Sequence, residues 1–260
     1  RVVFFLRDGL SAAEKERMAA YGADMNKYLD SGNEARIKKA YESRDPRLQM
    51  AVITPYAQYN GASSGIAHTY TLRWPYRGSD SAEPFDIRTD TNDKFYYLWR
   101  KFVPEGLEQT ERDTYGLDIP LIRYAEVLLL KAEALNEWGS THESEAIRCV
   151  NEVRRRAGHV ELNNATYPAT KVNGQSDLRE RIRNEYYWEI GGEDSMYFHE
   201  LRWGTWKDKK FDNNRNGLMQ MWGETTYTWY WLGDQCWSWP IPAKEMEMNS
   251  NLEQNEGWIN

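Results

Sequence analysis

The sequence DIPLIRYAEVLLLKAEALNEW, residues 118–138, carries the strongest helical pattern of the chain and decides its fold class. Its apolar residues recur at the spacing of one helix face. Asp118 is a residue type that caps helices, Pro120 suits a first turn, and Gly139 is typical of the position after a last turn. The pattern predicts a long helix that starts after Asp118 and stops at Gly139.

A second helix is predicted directly afterwards. Ser140-Thr141-His142-Glu143 has the form of a capping box, and Gly158 follows the last predicted turn. The apolar stripe between them consists of Ala146, Val150, Val153 and Ala157. Because the link is so short, the two helices are expected to pack antiparallel, as in one tetratricopeptide-like helix pair. A third helix is predicted over residues 176–190, and a short one in MYFHELRW, residues 196–203.

The remaining segments predict a mainly α fold with loop-rich, irregular segments and a few short strands. Residues 11–42 have helical spacing, and Asp45-Pro46 is interpreted as the end of a helix. The strand-like pieces are LQMAVIT (48–54) and KFYYLWRKFV (94–103), and the loop-like pieces are GASSG (61–65) and RGSDSAEP (77–84). Little regular structure is expected over residues 204–236. We divide the chain into a loop-rich part, residues 1–118, and a helical part, residues 119–260.

Composition excludes some classes of function. The 33 basic and 40 acidic residues give a net charge of -7, which disfavours nucleic acid as a partner. No apolar run approaches the ~18 residues of a membrane span. Cys149 and Cys236 do not form a disulfide framework, although a single bridge between them stays open. The 12 Trp and 17 Tyr against 7 Phe are typical of surfaces that are partly apolar and partly wet.

Several motifs occur in the order found in the SusD/RagB family. They are RDPRL (44–48), LWRKF (98–102), RYAEVLLLKAEA (123–134), EAIRCVNEVRRRAG (145–158), IRNEYYWEI (182–190) and WPIPAKEMEMNSNLEQNEGW (239–258). Residues 41–260 therefore resemble the C-terminal half of that family. The resemblance implies a mainly helical fold built on tetratricopeptide-like pairs, and it implies that an N-terminal half is absent.

The resemblance also implies a function. Family members are lipoproteins on the outward-facing surface of the Gram-negative outer membrane, where they bind glycans, or peptides and other nutrients, beside a transporter barrel. The implied partners of this chain are a glycan and an outer-membrane transporter, with membrane attachment only through a lipid anchor on the absent part. The implied role is non-catalytic glycan binding for polysaccharide utilisation. The alternatives are a helical-repeat interaction scaffold and a glycosidase-like enzyme.

The sequence departs from the family pattern after Glu185. Relatives often carry E-R-x-x-E and then E-G-x-R-x-x-D-L, whereas this chain has Glu185-Tyr186 and then Glu193-Asp194-Ser195-Met196, with His199 where Asp is common. Two arginines and a glycine are thus replaced. The buried ion-pair network that the resemblance implies is therefore not expected in its usual form.

The candidate ligand site is the aromatic segment TPYAQYNGASSGIAHTYTLRWPYRGSD, residues 54–80. Sugar binding uses flat aromatic faces together with planar polar side chains, and loops commonly carry such groups. The predicted ligand-binding residues are Tyr56, Tyr59, Tyr70, Arg73, Trp74 and Tyr76, with Asn60 among the polar residues between them. The alternative is that half of these rings fill the core. A second aromatic cluster, residues 221–237, favours core.

No motif selects catalytic residues or a cofactor. Glu126 and Glu133 share one face of the long helix and are expected to pair with arginines such as Arg154 or Arg202. The histidines have no metal-ligand spacing, and no phosphate loop or G-x-S-x-G motif occurs. DNNRNG, residues 212–217, has the opening of a calcium loop with Asp212 as the candidate ligand. Since Gly223 holds the twelfth position, a plain turn is the preferred interpretation.

The last segment, WSWPIPAKEMEMNSNLEQNEGW (237–258), is predicted to be a structural clasp. Pro240 and Pro242 favour an extended turn, AKEME favours one helical turn, and the asparagines favour further turns. Burial of the tryptophans is expected to anchor the segment. The alternative is that Trp237, Trp239 or Trp258 stacks on a ligand.

Overall fold

The computed structural model describes residues 41, 44–54, 57–63, 66–72, 86–87, 98–106, 118–193, 195–211 and 231–258. The chain divides into two compact units, the first reaching Met196 and the second starting at Tyr197. Helices predominate over short strands, so the predicted mainly α fold class is confirmed. The division at residue 118 stays a prediction. Among the described residues, no helix combines the length and the apolar character needed to cross a membrane.

The first unit contains helix α1, Pro46–Ala51, which leads directly into a strand. The Asp45 side chain accepts a hydrogen bond from the Arg47 backbone N–H at 2.9 Å, and Pro46 occupies the first turn. Asp45-Pro46 therefore starts a helix. The prediction that residues 48–51 are strand-like was wrong, because this cap and this proline initiate a helix. The preceding helix, which Asp45-Pro46 was predicted to end, lies largely outside the described residues; Tyr41 is helical and Arg44 is not.

The described part of the first unit also contains short strands, two of which form a hairpin beside the candidate site. They are β1 Val52–Ile53, β2 Gln58–Ser63, β3 Ile66–Leu72, β4 Asp86–Ile87 and β5 Leu98–Trp99. β1 pairs antiparallel with β5, β2 pairs antiparallel with β3, and β4 joins β3 in parallel. The predicted loop over residues 61–65 was wrong for 61–63, which belong to β2. Ser63 lies opposite Ile66, so two residues, Ser64 and Gly65, connect the strands, a spacing typical of hairpins.

Three longer helices form the body of the first unit: α2 Tyr124–Trp138, α3 Glu143–Arg156 and α4 Gln175–Ile190. Helix α2 starts at Tyr124, so the prediction that it starts directly after Asp118, with Pro120 in its first turn, was wrong. Arg123, just before it, has extended backbone (φ -111°, ψ 153°) and no side-chain cap. Gly139 ends α2 as predicted, with its N–H bonded to the Leu135 carbonyl. The capping box is replaced by a 3-10 turn, Ser140–His142.

The core of the first unit lies between these helices, and the predicted packed helix pair is confirmed. Its fully or nearly fully buried side chains include Leu128, Leu129, Ala132 and Leu135 of α2, Ala146, Val150 and Val153 of α3, and Leu178, Ile182, Tyr186 and Ile190 of α4. Each large apolar side chain buried in this way contributes about 1.5–3 kcal/mol. Cys149 is buried in α3, and both it and Cys236 are free thiols.

The second unit contains helices α5, Ser195–Arg202, which begins in the first unit, α6, Trp206–Phe211, and α7, Ala243–Met248. The short helix predicted in MYFHELRW is thus confirmed as α5. Helix α6 contradicts the expectation of little regular structure after residue 204. Residues 212–230, which include Asp212, lie outside the described part of the chain.

The C-terminal segment is held mainly by side-chain hydrogen bonds. The Gln254 amide accepts from Ile241 N at 2.7 Å and donates to Ile241 O at 2.9 Å. The Trp258 indole N–H donates to Ser238 O at 2.8 Å. Asn249 accepts from Asn251 N at 3.1 Å, which is the predicted asparagine turn. Trp239 is 72% exposed, so the expected anchoring by tryptophan burial was wrong for this residue.

Candidate functional site

A cavity of about 350 Å³ lies beside the β2–β3 hairpin. The described residues that line it are Asn60, Ala67, Thr69, Glu105 and Gly106. Asn60 is directly opposite Thr69 in the strand register, so their side chains leave the same face of the hairpin. The segment that follows β5 supplies Glu105 and Gly106. The cavity therefore depends on how that segment is held against the hairpin.

Two hydrogen bonds join the hairpin and this segment, and a third lies within the hairpin. Glu105 Oε2 accepts from the Asn60 backbone N–H at 3.2 Å, which satisfies a donor of the β2 backbone. The Tyr59 hydroxyl donates to the Pro104 carbonyl at 3.0 Å. Across the hairpin, Thr69 Oγ1 donates to Asn60 Oδ1 at 3.1 Å. These contacts orient the Asn60 amide, because its oxygen is fixed by Thr69.

Arg100 holds the Glu105 carboxylate in a two-point ion pair. Arg100 Nε donates to Oε1 at 2.5 Å and Nη2 donates to Oε2 at 3.0 Å. The third nitrogen, Nη1, points to the Gln49 carbonyl at 3.4 Å. The hydrogen bond from Arg100 holds the pKa of Glu105 below its ordinary value. Glu105 is therefore an ionised acceptor at neutral pH.

The start of the Arg100–Gly106 segment is fixed by backbone contacts and by a close packing contact. Arg100 N and Lys101 N both donate to the Ala51 carbonyl, at 2.9 and 3.2 Å. The Trp99 ring packs directly on Gly192, where a Cβ atom would lie 2.8 Å from the ring. Gly192 has φ +82°, a conformation that favours glycine. Gly192, just after α4, thus supports the segment that carries Glu105 through its contact with Trp99.

Lys101 anchors the same segment to the end of α4. Its ammonium group forms an ion pair with Glu193 and donates to the Glu189 carbonyl at 2.9 Å. Burial lowers the pKa of Lys101, and the Glu193 partner opposes this shift. Arg123 binds the same two acids, with Nη2 to Glu193 Oε1 at 2.7 Å and Nη1 to Glu189 Oε1 at 3.0 Å. These two bonds also account for the extended backbone of Arg123 before α2.

These ion pairs continue into a buried network under α1. Arg47 Nη1 donates to Glu185 Oε1 at 2.7 Å, and Arg154 Nε donates to Glu185 Oε2 at 2.8 Å. Arg47 also pairs with Asp45 at 2.7 Å, and Arg156 pairs with Glu189 at 2.6 Å. A buried ion-pair network is therefore present although the two arginines are replaced. The cations come from elsewhere in the chain, and the motifs RDPRL, LWRKF, RYAEV and VRRR meet here.

The predicted ligand residues divide into those that the structure describes and those that lie outside it. Tyr59 is half-buried and lies opposite Tyr70 in the hairpin register. The positions of Tyr56, Arg73, Trp74 and Tyr76 lie outside the described residues. Thr69 and Glu105 were missed by the sequence analysis. The alternation of polar residues on β2 and β3 could have indicated Thr69, whereas no local signal indicated Glu105.

Two buried acids of the first unit, Glu185 and Glu189, are committed to ion pairs. A glycosidase needs two carboxylates across a cleft, one of them able to donate a proton. Glu185 and Glu189 are both buried and bound to arginines. Within the described residues, no group of three or more His, Cys, Asp and Glu side chains is placed to hold a metal ion.

The fold and the site define a mainly helical protein with a tetratricopeptide-like helix pair and a small cavity beside a β-hairpin. The SusD family matches the chain over residues 11–258, and the chain belongs to that family. It is similar to SusD-like protein P38 of Formosa agariphila, with 32% identity over 139 residues, 53% of this chain and 24% of that protein. It is also similar to the starch-binding protein SusD of Bacteroides thetaiotaomicron, with 28% identity over 161 residues, 62% of this chain and 25% of that protein.

The fold is also found among solved structures. A SusD-like protein of Bacteroides fragilis has a TM-score of 0.55 and 22% identity, over 85% of this chain and 40% of that one. The chain spans about a quarter of the length of the two curated relatives (25% and 24%).

Proposed function

We propose that this chain binds a glycan without cleaving it, for nutrient uptake through a partner transporter of the outer membrane, on the outward-facing surface. The observation that carries the proposal is the cavity between the hairpin and Glu105, with the polar groups of Asn60, Thr69 and Glu105 in its lining. The name of the starch-binding relative supports a glycan as the ligand class. The position at the membrane and the transporter rest on family membership.

The cavity matches the hydrogen-bonding pattern of neighbouring sugar hydroxyls. Asn60 Nδ2 donates to no protein group in the described part of the chain, so its two N–H groups are available to a hydroxyl oxygen. Thr69 Oγ1 and Glu105 Oε1 keep lone pairs that can accept from hydroxyl groups. A volume of about 350 Å³ is at the lower end of the usual range for small-molecule sites, which suits one or two sugar rings.

Aromatic stacking is proposed to extend this polar site. The proposed ring contacts are Tyr56, Tyr59, Tyr70, Trp74 and Tyr76, with Arg73 beside them. Tyr59 precedes Asn60 on β2 and therefore leaves the opposite face of the hairpin from the cavity. Its hydroxyl donates to Pro104, so any contribution of Tyr59 comes from its ring face, to a ligand that extends beyond the cavity. Binding rather than hydrolysis is proposed because the carboxylate at the cavity is ionised and bound to Arg100, whereas a general acid needs a raised pKa.

The test is native affinity electrophoresis of the whole chain through gels that contain one polysaccharide each. Asn60→Ala removes the free amide, while Gln58→Ala is its matched control, two residues away on the same face of β2. We expect one glycan to retard the wild type and Gln58→Ala but not Asn60→Ala. Retardation that Trp74→Ala also abolishes would support the stacking part. Absence of retardation by a broad panel would contradict glycan binding and leave peptides or other nutrients as the ligand.

A second candidate function, a protein-interaction scaffold, is favoured by an exposed apolar surface in and before α2. Its members are Ile119, Leu121, Ile122, Tyr124, Val127 and Leu130, of which Leu121 is 89% exposed. Exposed apolar groups of this extent commonly mark interaction surfaces. Sedimentation of the wild type and of Leu121→Lys tests this function: self-association that the substitution abolishes favours it. The two functions are compatible, because this surface and the cavity share no residue.

A further inference from the structure

Glu105 gives the cavity a charge preference, which deepens the proposed function and rests on it. Among the described residues that line the cavity, Glu105 is the one carboxylate and none is cationic. The nearest cation bonded to a lining residue is Arg100, and all three of its guanidinium nitrogens are directed at protein acceptors. A ligand anion in the cavity would therefore meet the Glu105 carboxylate, and no uncommitted cation among the described lining residues would offset it.

The hydrogen bonds show which edge of the carboxylate a ligand can reach. Oε2 of Glu105 accepts from Arg100 Nη2 and from the Asn60 backbone N–H, which uses both of its lone pairs. Oε1 accepts only from Arg100 Nε, which leaves one lone pair for a donor. A sugar hydroxyl can donate to that lone pair. A uronate or sulfate group has no hydrogen to donate at neutral pH, so it cannot replace the hydroxyl.

We infer that the cavity selects uncharged, hydroxyl-bearing sugar residues and rejects uronate and sulfate groups, with Glu105 as the residue that sets this specificity. The sugar hydroxyls donate to Glu105 Oε1 and Thr69 Oγ1 and accept from Asn60 Nδ2. The preferred ligand is therefore a neutral part of a glycan chain.

Matched pairs of polysaccharides that differ in charge test this inference. The probes are soluble starch with carboxymethyl starch, hydroxyethyl cellulose with carboxymethyl cellulose, and dextran with dextran sulfate. Affinity electrophoresis of the whole chain, with mobilities referred to a gel without polysaccharide, gives a dissociation constant for each probe. We expect the wild type to bind the neutral member of one pair about tenfold or more tightly than its anionic member at low salt, a gap that narrows as salt screens the charges.

Glu105→Gln removes the carboxylate charge and leaves Arg100 without its charged partner beside the cavity. We expect this variant to bind the anionic member more tightly than the wild type does, by about tenfold at low salt, and the neutral member more weakly. Glu137→Gln is the matched control, since it changes net charge equally and releases Arg179 from a similar two-point pair elsewhere on the first unit. The control should leave both affinities unchanged.

The possible outcomes separate the inference from the proposed function. Equal binding of neutral and anionic members, preference for the anionic member, or identical behaviour of the two variants overturns the inference while glycan binding stands. If none of these probes and no member of the broad panel retards the chain, both the inference and the proposed function are overturned. If Glu105→Gln does not fold, as judged by its circular dichroism, the salt dependence of the wild-type preference decides, because a preference that is unchanged by salt contradicts a charge origin.

Discussion

Arg47 and Glu185, 138 residues apart in sequence, are joined by a buried hydrogen bond of 2.7 Å. The other oxygen of Glu185 accepts from Arg154 at 2.8 Å. Both oxygens of one buried carboxylate are thus bound to arginines from two different helices, α1 and α3. Because each partner is desolvated, removal of one cation leaves an uncompensated charge inside the protein. This relationship makes the network a sensitive part of the fold.

Substitution of Arg154 by Met is expected to destabilise the chain by about 3–5 kcal/mol, the usual result of breaking a buried ion pair. Arg155→Met is a matched control on the neighbouring residue, because Arg155 is exposed and pairs with Glu161 on the surface. We expect about 0–1 kcal/mol for this control. Urea unfolding of the two variants measures the difference, and equal losses would mean that the buried pair has no special role.

The stability of the chain is expected to fall in two stages as pH decreases. Burial, opposed in part by the charge of Asp45, lowers the pKa of His159 from its ordinary value. The unfolded state therefore binds the proton first, and stability falls as pH drops below about 6.5 and through the folded pKa. His159 Nδ1 accepts from Val160 N at 2.9 Å, which also favours the neutral ring. His159→Gln should remove this first stage.

The second stage belongs to the paired carboxylates. Burial alone would raise the pKa values of Asp45 and Glu189, but hydrogen bonds and charge from arginines outweigh it, and both values lie below the ordinary ones. Their stabilisation is complete above the unfolded pKa values of about 4 and is lost as pH falls through the lower folded values. Unfolding free energies measured from pH 7 to pH 2.5 should therefore steepen again below about pH 4. A flat profile there would contradict the network.

The sequence predicted the helices better than the cavity, for a physical reason. The pattern of Leu128, Leu135 and Val150 reports a buried face directly, since helical periodicity is local. The start of α2 was mistaken because Arg123 is held by acids 66 and 70 residues away. Local capping rules contain no information on such a partner.

The candidate site shows the same limit. Tyr59 and Asn60 stood out because they lie in an aromatic, polar segment. Glu105 did not, since its role depends on Arg100 and on the Asn60 backbone, 45 residues earlier. The hairpin was predictable, because two strand-like runs are separated by only the two residues Ser64 and Gly65. It was missed because the glycine- and serine-rich run GASSG was interpreted entirely as a loop.

Substitution of Gly192 by Ala is expected to cost more than the same change at Gly158. Both glycines have positive φ values, +82° and +70°, so each alanine should lose about 1–2 kcal/mol through backbone strain. At Gly192 the new Cβ also meets the Trp99 ring at 2.8 Å, whereas Gly158 has open space. Urea midpoints measure the difference. The Gly192 variant should also bind glycan more weakly, because Trp99 precedes the segment that carries Glu105.

The C-terminal segment, residues 237–258, should be held in place by the Gln254 amide more than by the side chains next to it. Gln254→Ala removes both hydrogen bonds to Ile241 and one to Asn255 N, while Glu253→Ala changes an exposed neighbour in the same segment. Since the Ile241 N–H has the Gln254 side chain as its acceptor, its hydrogen exchange should accelerate about tenfold or more in Gln254→Ala, which corresponds to a local loss of about 1.4 kcal/mol. Exchange at the same amide should be unchanged in Glu253→Ala. Similar exchange in both variants would show that backbone packing, rather than this amide, holds the segment.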